Sequence, residues 1–136
     1  MSAPGTASLT KAVLIVDDDP TIVRMLRSAL GTFQRDHTFQ IVVAADGAAA
    51  LAALERGEFD LVLLDMYLPG MNGLELLAHM RRLDMRTPVL MLTANNDAQV
   101  AADALAGGIF AYIPKPLDLR RFEHLVSLAV SMGPPR

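Results

Sequence analysis

The 136 residues include no cysteine, no tryptophan and only three histidines. Without cysteine there is no disulfide framework, no thiol nucleophile and no thiolate metal ligand. His37, His79 and His124 do not stand at a metal-ligand spacing, so a zinc site is not expected. Aromatic residues make up 5% of the chain, a poor supply of platforms for base stacking. No basic run occurs, and 12 Lys+Arg against 15 Asp+Glu give a net charge of -3, which argues against direct contact with nucleic acid. Although 52% of the residues are hydrophobic, no uninterrupted apolar stretch approaches the roughly 20 that span a bilayer. The first eight residues lack a basic start followed by an apolar core, so they do not read as a secretory signal. The expectation is a soluble cytoplasmic domain that touches neither membrane nor nucleic acid.

Length points to a single domain, since domains usually run about 100–200 residues. A chain of this size buries roughly two thirds of the surface it exposes when unfolded and needs no staple. Residues 1–10 are small and polar and read as a flexible tail. Residues 133–136, Gly-Pro-Pro-Arg, stop a helix and read as a second tail or the stub of a linker. One domain is therefore expected over 11–132.

Within it, apolar runs of strand length alternate with helical patterns. The runs are 12–16, 41–44, 61–64 and 89–92, with a weaker fifth at 111–113. They are continuous rather than alternating, which suits parallel strands covered on both faces. Between them, Asp19-Pro20 reads as a cap followed by proline at the first helical position. Ile22, Val23, Leu26 and Leu30 then recur on one face, with Arg24 and Arg27 outward. Asp46 caps a second helix through Leu51 and Leu54, stopped at Gly57. Leu74, Leu77 and Ala78 mark a third. Val100, Ala101 and Leu105 mark a fourth, closed by Gly107-Gly108. Leu119, Phe122, Leu125, Val126 and Ala129 mark the last. Five such β-then-α units predict a doubly wound three-layer α/β sandwich with a parallel sheet.

Ligands of such sheets bind beyond the strand C-termini. The first strand ends in Asp17-Asp18-Asp19, the third in Asp65, the fourth in Thr93 and the fifth in Lys115-Pro116. The second, ending near Ala45, offers nothing chemical. If the strand order is 2-1-3-4-5, the first and third strands are neighbours, and Asp17, Asp18 and Asp65 converge. Three close carboxylates repel unless one takes up a proton or a cation sits among them. An all-oxygen acidic site suits Mg²⁺, or Mn²⁺. Three negative charges against one Lys115 ammonium and one divalent ion cancel, so the pocket can accept a dianionic phosphate donor. Asp65 is then the candidate nucleophile, forming an acyl phosphate. Lys115 and the Thr93 hydroxyl would hold the phosphoryl oxygens.

These residues resemble the receiver domains of two-component response regulators. The resemblance covers nearly the whole chain, roughly 11–132. It rests on four stretches in order, each at its own strand end: Val13-Leu14-Ile15-Val16-Asp17-Asp18-Asp19-Pro20, Asp65-Met66-Tyr67-Leu68-Pro69-Gly70-Met71-Asn72-Gly73, Leu92-Thr93-Ala94 and Tyr112-Ile113-Pro114-Lys115-Pro116. It implies a flavodoxin-like five-stranded sheet of order 2-1-3-4-5, with Asp65 as phospho-acceptor. It implies that Asp18 holds Mg²⁺ directly and Asp17 through water, with the backbone carbonyl of Tyr67 a further ligand. Thr93 and Lys115 match the pair that contacts the phosphoryl group, and Tyr112 the aromatic that couples to Thr93 as a switch. Lys115-Pro116 looks like the family's cis peptide. The implied donor is a phosphohistidine on a sensor histidine kinase or phosphotransfer protein. The implied output is a downstream protein target or output domain, or a homodimer through the fourth helix, fifth strand and fifth helix, a face carrying Asp103, Asp118, Arg120 and Arg121.

The connection over 31–40 is longer than the family pattern, through an extended helix or a protruding polar loop. Tyr67 is large for its position, and with Asn95 it borders the path of an attacking water. The alternative reading is a metal-dependent phosphohydrolase with an aspartyl nucleophile, as in haloacid-dehalogenase-like enzymes. Those carry a second Asp two residues after the nucleophile, where this chain has Tyr67. A phosphorylation-independent binding module would tolerate loss of Asp17, Asp18, Asp65, Thr93 or Lys115, and none is lost. A flavin site is disfavoured because the first loop is acidic and would repel a cofactor phosphate.

Overall fold

The computed structural model describes residues 10–32, 38–94 and 98–132. Ten elements alternate: β1 (Thr10–Val16), α1 (Pro20–Thr32), β2 (Thr38–Ala44), α2 (Gly47–Arg56), β3 (Leu61–Asp65), α3 (Gly73–Arg82), β4 (Val89–Thr93), α4 (Ala98–Ala106), β5 (Ala111–Pro114) and α5 (Leu119–Met132). The strands form one parallel sheet in the order β2-β1-β3-β4-β5. This is the expected doubly wound sandwich. β1 starts at Thr10, the last residue of the segment read as a tail. α1 runs on to Thr32, so part of the long 31–40 connection is helix; residues 33–37, with His37, lie outside the described residues.

The continuous apolar runs explain the two cores. Residues of β3 and β4 are buried throughout. Leu14, Val16, Val62, Leu64 and Met91 pack under α2 and α3 on one face. Val13, Ile15, Leu61, Leu63 and Leu90 pack under α1 and α5 on the other. Each fully buried aliphatic side chain of this kind contributes about 1.5–3 kcal/mol.

Four positions depart from the sequence reading. Val42 and Val43 of β2 are exposed, because β2 is the sheet edge and helices cover only its inner side. Leu105 points outward and Ala104 is the buried residue of α4. Leu119 is likewise exposed, and α5 packs through Phe122, Val126, Ala129 and Val130.

Local chemistry starts and stops the helices. The Asp19 carboxylate accepts from the Thr21 N–H at 2.9 Å, just before Pro20 opens α1. Asp46 accepts from the Ala49 N–H at 2.7 Å. Asn72 and Glu75 exchange the two bonds of a capping box. At the far end of the sheet the buried Asp60 accepts from the Ala12 N–H at 2.9 Å and ties β3 to β1.

Gly73 is the first residue of α3 and lies against the end of β3. A Cβ there would sit 2.9 Å from the Asp65 carbonyl oxygen and 3.0 Å from the Met66 Cα. Its N–H donates to the Met66 carbonyl at 2.7 Å, so the helix cannot back away without losing that bond. Gly73→Ala is expected to destabilise the fold by about 1–3 kcal/mol, the usual cost of overpacking, despite alanine's better helix propensity. Urea melts check this; an unchanged or higher midpoint contradicts the close approach.

Candidate functional site

The parallel register builds the site. Val16 pairs with Leu64, so Asp17 and Asp65, each one residue further along, stand side by side. Asp65 pairs with Leu92, and Thr93 with Pro114, which brings Thr93 and Lys115 to the same rim. The Lys115 N–H donates to the Thr93 carbonyl at 2.8 Å, and the Lys115–Pro116 peptide is cis, as the resemblance implied.

Asp17 and Asp65 are buried, and Thr93 is fully enclosed. Asp18 is exposed. Asp17 accepts from the Asp19 N–H at 2.9 Å and lies 3.4 Å from the Lys115 ammonium. Asp65 accepts from the Tyr67 N–H at 3.2 Å and lies 3.6 Å from the same ammonium. One cation thus serves two acids. Carboxylate oxygens of Asp17, Asp18 and Asp65 lie within 4.8 Å of one another. Three carboxylates against one ammonium leave the cluster negative. Its hard oxygen donors and its partly open side, at Asp18, fit Mg²⁺ or Mn²⁺.

The sequence-derived residues therefore converge, with two peripheral members. Tyr67 is 49% exposed, and its backbone N–H reaches Asp65. Tyr112 is half-buried on β5 and packs against the core cluster under α3. Asn95 lies outside the described residues. Two features escape the strand-end reasoning. One is Gly73, whose missing side chain lets α3 start against Asp65. The other is a cleft of about 390 Å³ that opens beside Asp17 and Asp18 and runs between α1 and the end of β2. Ala45, chemically silent in the sequence, lines it.

The fold and the acidic, lysine-capped strand ends define a signalling receiver. The family model "Response regulator receiver domain" matches residues 13–127, and the chain belongs to that family. TcrA, a transcriptional regulatory protein of Mycobacterium tuberculosis, is 41% identical over 107 residues, 79% of this chain and 41% of TcrA. The response regulator protein PilR of Pseudomonas aeruginosa is 38% identical over 122 residues, 90% of this chain and 26% of PilR. The chain thus spans less than half the length of these curated relatives. A solved receiver domain protein of Methanospirillum hungatei superposes with a TM-score of 0.81 at 29% identity, covering 90% of this chain and 95% of that one. Family membership sets the chain among signalling domains, whose own phosphoryl transfer is their only chemistry. No helix among the described residues is long and apolar enough to cross a membrane.

Burial pushes the Asp65 carboxyl above its ordinary 3.8, and the Asp17 carboxylate pushes the same way. The Lys115 charge and the Tyr67 N–H pull it back only in part. An acid with a raised folded-state pKa holds its proton more readily folded than unfolded. Between 3.8 and the raised value, stability therefore falls as pH climbs, and above it the loss is complete. In metal-free buffer near pH 7, Asp65→Asn is expected to be more stable than wild type by about 0.5–3 kcal/mol. The gap narrows as pH falls through the raised pKa and closes below the ordinary one. Paired urea melts across pH check this; a variant no more stable than wild type at neutral pH contradicts the repulsion.

Proposed function

We propose that Asp65 accepts a phosphoryl group from a phosphohistidine on a sensor histidine kinase or phosphotransfer protein. The observation that carries this reading is the convergence of Asp65, Asp17, Lys115 and Thr93 on adjacent strand ends. An Asp65 oxygen attacks phosphorus, the P–N bond of the donor breaks, and the imidazole leaves with that electron pair. The product is an acyl phosphate. Lys115 and the Thr93 hydroxyl hold equatorial oxygens. Asp17, Asp18, Asp65 and the Tyr67 backbone carbonyl would hold Mg²⁺, or Mn²⁺, which when bound neutralises charge on the incoming phosphoryl group. Asp17 and Asp65 reach Lys115 before any donor arrives, so that side chain is already oriented.

Phosphorylation adds charge and oxygen acceptors at Asp65. Thr93 then turns toward the phosphoryl group, and Tyr112 moves into the space it leaves. The new contacts favour one of two packings of the face formed by α4, β5 and α5. That face is the output surface for a downstream target, an output domain or a second copy of the chain. Asp103 already accepts from Gln99, and Asp118 from the Arg120 and Arg121 N–H groups. A homodimer through this face would have to replace or share those local bonds. The receiver unit is assigned to 11–132.

The alternative, an aspartyl phosphohydrolase, is disfavoured by Tyr67, whose exposed side chain stands where such enzymes place their second Asp. Incubation with acetyl phosphate and Mg²⁺ should add the mass of one phosphate to the wild type and none to Asp65→Asn. An adduct that survives the substitution, or repeated turnover of a generic phosphate ester, contradicts the reading. The half-exposed Tyr67 ring is expected to shield the acyl phosphate from water. Tyr67→Asn should therefore shorten the half-life of the labelled protein; an unchanged or longer half-life contradicts shielding.

A further inference from the structure

Among the described residues, β2 is an open sheet edge. It pairs with β1 along all seven residues, from Thr38 to Ala44. It carries no proline, lysine or charged residue, the devices that normally block edge pairing. Val42 and Val43 are both exposed, and neighbouring strand residues face opposite sides of the sheet. Beside the strand lies the cleft of about 390 Å³, with Val23, Val43 and Ala45 as apolar walls and Asp17 and Asp18 at the end that meets the acidic site. Arg24 and Arg27 stand on its rim, three residues apart on α1 and both exposed. Neither makes an ion pair or hydrogen bond among the described residues, where both buried site acids share Lys115.

We propose that this edge receives an extended, acidic segment of another protein as a sixth strand. Main-chain bonds to the outer side of β2 would supply affinity, and one apolar side chain would enter the cleft against Val23 and Val43. Carboxylates on the segment would pair with Arg24 and Arg27. Asp17 is paired with Lys115 and Asp18 belongs to the metal-binding cluster, so on the strand side of the cleft the charge left to a partner is that of the two guanidiniums; Thr38–Ala44 of an antiparallel second copy brings them no carboxylate. The surface lies on the opposite sheet edge from β5, so it is separate from the proposed output face. The inference does not depend on phosphorylation of Asp65.

The test is selection of a phage-displayed library of random dodecapeptides on the full chain, after depletion on Arg24→Glu/Arg27→Glu. The expected consensus is rich in Asp or Glu interleaved with β-branched residues. A synthetic peptide of that consensus should protect Thr38–Ala44 amides from hydrogen exchange. Its affinity should drop about tenfold or more in the charge-reversed variant, where repulsion adds to the loss of two surface pairs. Both substitutions are on exposed positions, and an unchanged melt confirms an intact fold. Failure to enrich any peptide, a consensus without acids, or a footprint away from β2 overturns the proposal. So does sedimentation showing that the chain alone self-associates with β2 protected, which assigns the edge to a second copy.

Discussion

Two carboxylates, Asp17 and Asp65, are forced together by strand pairing, and their repulsion is the constraint around which the rest of the site is arranged. Neither can move apart without breaking the parallel register of β1 and β3, whose side chains form the centre of both cores. Relief must come from the neighbourhood. Lys115 reaches both from the end of β5, and backbone N–H groups of Asp19 and Tyr67 each donate to one. That compensation is incomplete, as the upward push on the Asp65 carboxyl records. A fold that cannot quiet its own charges is one that gains by binding a cation.

The same pairing explains why the chemistry and the scaffold are separable. The sheet ends of β1, β3, β4 and β5 supply the reactive groups, while hydrophobic layers on both faces hold those ends at fixed spacing. The far end of the sheet is pinned by bonds of a different kind. Asp60 ties β3 to β1, and Arg81 donates to the Gly108 carbonyl at 2.8 Å, linking α3 to the turn before β5. Site and anchorage sit at opposite poles, so contacts can change at one without disturbing the other.

Much of this is legible in the sequence because it is local. A continuous apolar run followed by an acid states both the strand and its end, and Asp19-Pro20 or Asp46 states a helix start. What is not legible depends on distant partners. The run at 41–44 looks like its neighbours, yet only strand order makes β2 an edge with Val42 and Val43 in water. α4 is mostly alanine, so its pattern does not choose between the faces of Ala104 and Leu105. The need for glycine at 73 comes from the Asp65 carbonyl, eight residues earlier in the chain. The cleft beside Asp18 exists only once α1 and β2 lie side by side.

α4 buries a single side chain, Ala104, while α1, α2 and α3 each bury three or four residues. A helix so lightly moored has little packing energy to surrender when it shifts. Its outward residues are also free to diverge, since almost none of them holds the domain together. Lineages could retune whom this domain addresses by rewriting one helix, leaving the reactive rim and the folding nucleus untouched.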